Sequence, residues 1–125
     1  MKKLLLSLAV CTFSGVSVTS GAALEHATVN KIVNEVNVVH PGRGTTPAKL
    51  QELIKDDLGV RTGTASRAEL LFQDATLTRL GANTLFSFKS GTRDMSLPDG
   101  TMLLQVPKGL GGARIRTAGV SAAIT

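Results

Sequence analysis

The sequence has no tryptophan and no tyrosine, and its 125 residues include four phenylalanines, two histidines and a single cysteine. Single-stranded nucleic acid is usually held on exposed aromatic platforms. Here the phenylalanines beyond the first two dozen residues, Phe72, Phe86 and Phe88, are all required by a core. Cys11 falls in the N-terminal apolar run, so the rest of the chain has no disulfide, no thiol nucleophile and no thiolate metal ligand. A zinc site would need His26 and His40 completed by carboxylates. One histidine lies near the start of the folded part and the other beside Pro41, and both read as loop histidines without a role. No metal or cofactor is expected.

Long hydrophobic runs are also scarce. Leu4 to Val18 is the longest apolar stretch, 15 residues without a charge, against roughly 20 for a membrane-spanning helix. It follows the basic start Met1-Lys2-Lys3 and precedes Ser20-Gly21-Ala22-Ala23, a small-x-small cleavage pattern. Residues 1–23 are therefore expected to be a cleaved signal peptide, leaving 24–125 as one domain in the periplasm or secreted, with no lasting membrane insertion. A lipid-modified cysteine is disfavoured, because Val10 stands where a small residue is required. Two of the 14 basic residues lie in this leader, so 12 remain against nine acidic ones, a formal +3. They are scattered between acids rather than gathered on a stripe, which argues against nucleic acid as a partner.

Turn residues punctuate what is present. Thr28–Val33 and Val36–Val39 read as two β-branched strands with Asn34-Glu35 as the bend, although Val29, Ile32, Val33 and Val36 also fit a helical spacing. His40 to Pro47 holds two prolines and two glycines and reads as a loop. Thr46-Pro47 is then a good helix start, and Leu50, Leu53 and Ile54 predict one short helix over 47–55, stopped by Gly59. From Val60 onward, short strands are predicted at Arg67–Phe72, Thr76–Leu80, Thr84–Phe88, Thr101–Val106, Ala113–Thr117 and Val120–Ile124. Ala68, Leu70 and Phe72 share one face, as do Phe86 and Phe88, with Leu77 and Leu80 added to the core. The spacing predicts an all-β domain, a roll or β-helix-like sandwich of short strands. The last strand has no terminating turn, so either a partner covers its edge or the chain is the front part of something longer.

Chemistry-bearing clusters do not emerge. Asp56-Asp57 is an adjacent, solvated pair at an element end. Gly109 to Arg114 is glycine-rich and basic but matches no phosphate-loop spacing. No serine sits in a Gly-x-Ser-x-Gly elbow. No catalytic residue is assigned. Arg61, Arg67 and Arg79 form a possible interaction surface, since arginine makes directional contacts; alternatively they pair with Glu69 and Asp74 to hold turns in place.

Three blocks carry a family resemblance: Arg61-Thr62-Gly63, then Arg67-Ala68-Glu69-Leu70, then Asp74-Ala75-Thr76 followed by Leu77-Thr78-Arg79-Leu80-Gly81-Ala82-Asn83-Thr84. In this order they resemble the FecR domain, over roughly Thr28 to Ile124. One departure is Ala75, where the family pattern has glycine; alanine disfavours positive φ, so a type I turn is expected there. The resemblance implies an outside-facing β domain. It does not bring the family's relay to a sigma factor, because the expected leader replaces the cytoplasmic segment and membrane helix. The function it implies is non-catalytic: a protein-interaction or signal-sensing module of the cell envelope, whose partner is another envelope protein. The alternatives are a structural module contacting cell-wall polymer, or the N-terminal fragment of a larger exported protein.

Overall fold

A computed structural model describes residues 23–110, 112–118 and 121–124; all but the last residue of the expected signal peptide lies outside them. Among the described residues there are twelve strands and no helix. The N-terminal β-branched run forms β1 (His26–Val33) and β2 (Val36–His40). Between them Asn34 takes a φ of 62°, the left-handed conformation that asparagine tolerates best after glycine. This bend carries the chain from one sheet to the other. The apparent helical spacing has a local cause. A register shift between Val29 and Lys31 inserts one residue into β1, so the inward positions run Ala27, Val29, then Ile32. A bulge of this kind breaks the period of two.

Two expectations for the next segment are overturned. The stretch read as a loop to Pro47 is a hairpin: Gly42 turns the chain at a φ of 73°, and β3 (Gly44–Pro47) returns along β2. The short helix over 47–55 does not form. Pro47 ends β3, and β4 (Leu53–Lys55) pairs with β1. Amides of this segment donate instead to neighbouring strands, Ala48 to the Val36 carbonyl and Gln51 to the Val29 carbonyl. Leu50 and Leu53 remain exposed, and only Ile54 is buried. A nine-residue helix is marginal by itself, and pairing with two strands satisfies its backbone better.

The remaining elements are β5 (Gly59–Thr62), β6 (Arg67–Phe72), β7 (Leu77–Leu80), β8 (Leu85–Phe88), β9 (Asp94–Asp99), β10 (Thr101–Gln105), β11 (Arg114–Thr117) and β12 (Ser121–Ile124). They match the expected strands to within a residue or two, with β5 and β9 added. Pro98 lies inside β9, at the irregular register with β8, one of the few places where a sheet tolerates a residue without an amide hydrogen.

The first sheet has the order β12-β10-β7-β6-β1-β4 and the second β11-β9-β8-β5-β2-β3. Neighbours are antiparallel except β10–β12 and β9–β11, which are parallel. The two sheets pack face to face, as the all-β reading requires. Val29, Leu70, Phe72, Leu80 and Leu104 come from the first, and Val38, Val60, Phe86, Phe88 and Leu97 from the second, all buried. Leu77 is only half-buried. Phe72 meets Phe88 across the sandwich, centroids 4.8 Å apart and planes at 78°. Such an edge-to-face pair adds about 1 kcal/mol to the area it buries.

The turn agrees with the type I expectation, since Gln73 and Asp74 between the bonded Phe72 and Ala75 are not at positive φ, but Ala75 itself does not avoid positive φ. Its φ is 69°, so the family's usual glycine position keeps its left-handed backbone even with a Cβ on it. The loop is closed by two backbone bonds, from Ala75 N–H to the Phe72 carbonyl and from Phe72 N–H to the Thr76 carbonyl. Asp74 Oδ1 accepts the Thr76 amide at 2.9 Å, and these bonds hold the strained residue in place.

Candidate interaction surface

Strand pairing decides which charged side chains meet. On the outer face of the first sheet, Glu69 of β6 lies opposite Lys31 of β1 on one side and Arg79 of β7 on the other. Arg79 Nε donates to Glu69 Oε1 at 2.8 Å. Asn30 Nδ2 donates to Glu69 Oε2 at 3.3 Å. Arg67 stands two residues along β6, and these side chains border a shallow depression of about 250 Å³. Three cations thus surround one carboxylate on a rigid, exposed sheet. The Arg79 side chain is 51% exposed, so its ion pair contributes about 0–1 kcal/mol to stability; its guanidinium remains available to solvent.

The three candidate arginines do not share one surface. Arg67 and Arg79 belong to the patch just described. Arg61, in β5, lies on the second sheet and lines a separate cleft of about 540 Å³ with Glu35 and Asp99. Lys31 is the member that sequence reading missed. The bulge in β1 places it opposite Glu69, and a strict alternation from Val29 points it to the wrong face.

The expected turn-holding pair of Asp74 exists with a different arginine. Arg93 Nη1 donates to Asp74 Oδ2 at 2.9 Å, with the side chains only 15% and 7% exposed. Burial pushes the Asp74 carboxyl up, but hydrogen bonds from Thr76 and Arg93, with the Arg93 charge, outweigh it and hold the group below its ordinary 3.8. Arg93 Nε also donates to the Gly112 carbonyl at 2.7 Å. One guanidinium therefore ties the β6–β7 turn to the segment leading into β11.

The Arg61-Thr62-Gly63 and Gly81 to Thr84 blocks meet in a hydrogen-bonded joint. Thr62 Oγ1 donates to the Gly81 carbonyl at 2.5 Å and accepts the Thr84 amide at 3.0 Å. Asn83 N–H donates to the Gly63 carbonyl at 3.0 Å. Thr84 Oγ1 accepts the Thr101 amide at 3.0 Å. These motif residues are framework: both threonines are buried, and a Cβ on Gly63 would press on Glu35.

A family model described as FecR protein matches residues 59–125. The chain belongs to the FecR family. Neither a curated protein nor a solved structure matches it. The matched segment begins at the first residue of β5. It supplies β12-β10-β7-β6 of one sheet and β11-β9-β8-β5 of the other, while β1–β4 of the preceding segment extend both sheets at one end. FecR proteins are a regulatory, envelope-associated family rather than an enzymatic one. No helix among the described residues is long and apolar enough to cross a membrane. Among the same residues no three His, Cys, Asp or Glu side chains converge. His40 Nε2 instead meets Thr46 Oγ1 at 2.9 Å.

Proposed function

We propose that this FecR-family chain is exported by a cleaved signal over residues 1–23 and acts in the envelope as a non-catalytic protein-interaction or signal-sensing module. The observation that carries the reading is the cluster of Lys31, Arg67 and Arg79 around Glu69. It sits on strands rather than on a mobile loop, so little order is lost on binding. Arginine forks favour a directional protein contact over a diffuse one. Glu69 orients one fork and leaves an excess of positive charge for an acidic patch on the partner.

A photo-crosslinking residue in place of Arg67, in a strain producing the chain, tests this. The expected product is a discrete adduct with one envelope protein, lost in an Arg79→Glu background. Labelled chain retained only on isolated cell-wall polymer, or found uncleaved in the cytosol, would overturn the proposal.

A further inference from the structure

A second surface, independent of the arginine patch, lies at one edge of the second sheet. We infer that the open side of β11 accepts an extended peptide strand bearing acidic side chains at alternate positions and apolar ones between them.

Among the described residues β11 is an edge strand, paired only with β9. Its two faces are chemically unlike. Arg114 and Arg116 are exposed on the outer face of the second sheet, while Ile115 is half-buried against the core. A strand added beside β11 places every second side chain about 5 Å from an arginine and the intervening ones over Ile115. The complement is therefore acidic outside and apolar inside.

The chain's own neighbour of β11 follows this pattern in part. On the filled side of β11, β9 sets Asp94 opposite Arg114 and Met95 opposite Ile115, with buried Leu97 opposite Thr117. The open side presents the same side chains with no strand beside them among the described residues. Arg116 lies opposite Ser96, so no carboxylate stands directly across from it on β9, although Asp94 and Asp57 border the same hollow. Arg114, Arg116 and Lys108 are the charged residues after Asp99, and no acid follows that position.

A second copy of the chain does not supply the complement. Besides β11, the sheet edges are β3, β4 and β12, which read Gly-Thr-Thr-Pro, Leu-Ile-Lys and Ser-Ala-Ala-Ile without an acid. Pairing β11 with another β11 would set arginines against arginines, which opposes it. The edge is also pre-ordered. Arg114 N–H donates to the Arg93 carbonyl at 3.0 Å, and Arg93 Nε holds the Gly112 carbonyl. Backbone pairing of this kind supplies affinity, and side chains at alternate positions supply selectivity.

The test uses the full chain and three labelled seven-residue peptides: valine alternating with glutamate, with lysine, or with serine. Fluorescence anisotropy is expected to show saturable binding of the glutamate peptide, weakening with salt, and roughly tenfold weaker with an Arg114→Ala/Arg116→Ala variant. An Arg67→Ala/Arg79→Ala variant should bind the peptide unchanged. Amide NMR shifts should centre on residues 114–117. Equal binding of the serine or lysine peptide, shifts centred on Lys31 and Arg79, or self-association of the chain in sedimentation would each overturn the inference.

Discussion

Asp74 and Arg93 face each other at 2.9 Å, one from the β6–β7 turn of the first sheet and the other from the loop between β8 and β9 of the second. Both side chains are largely out of solvent, so removing one leaves its partner's charge stranded. Breaking a buried pair in this way costs about 3–5 kcal/mol, near the lower end where some exposure remains. Asp74→Ala and Arg93→Met should each lower stability by about 3 kcal/mol in urea unfolding. The double variant should lose much less than their sum. Single losses below about 0.5 kcal/mol would show that the pair is as weak as a surface contact.

The same carboxylate sets an acid dependence. Its pKa in the folded chain lies below 3.8, so the unfolded chain takes up this proton more readily. The stabilisation is full above 3.8 and drains away as pH falls through the lowered value. Unfolding free energies measured from pH 6 to pH 2 should fall more steeply below about pH 4 in the native chain than in Asp74→Asn. Parallel acid limbs would contradict this.

Ala75 holds a left-handed backbone with a Cβ attached. Such a conformation costs an ordinary residue about 1–2 kcal/mol, partly offset in glycine by the entropy it loses on folding. Ala75→Gly should therefore stabilise the chain by about 0.5–1 kcal/mol, a rise of a few degrees in Tm by calorimetry. A fall in Tm would mean the turn is not strained.

Two buried threonines make a controlled comparison. Thr84 Oγ1 bonds the Ala82 and Thr101 carbonyls and the Thr101 amide, whereas Thr78 Oγ1 is buried with no hydrogen-bond partner among the described residues. Valine has nearly the same shape as threonine. Thr84→Val should cost about 2 kcal/mol by stranding the Thr101 amide, while Thr78→Val should be neutral or stabilise by about 1 kcal/mol. Equal effects of the two substitutions would remove the distinction.

Gly100 sits at a φ of 96°, and a Cβ there would run into the Thr84 backbone and side chain. Gly100→Ala combines strain with collision and should cost more than about 2 kcal/mol. A Tm within one or two degrees of the native value would show that the β9–β10 turn can shift aside.

Much of this fold is written locally. Asn34, Asn83, Gly42 and Gly100 mark bends because few other residues accept their left-handed backbone. Alternation along Arg67–Phe72 and Leu85–Phe88 assigns faces because side chains in a strand point to opposite sides. The FecR blocks are legible because their threonines and glycines must form one joint. Other features needed partners distant in sequence. The segment 47–55 carries a sound helix start, yet Ala48 and Gln51 give their amides to β2 and β1, which local patterning cannot reveal. A one-residue bulge in β1 decided that Lys31 joins Arg67 and Arg79, and sheet order decided that Arg61 does not. Asp74 was separated from its arginine by 19 residues and a change of sheet. Periodicity and turn chemistry act through the nearest few residues, whereas register and charge pairing are settled only when the two sheets close on a common core.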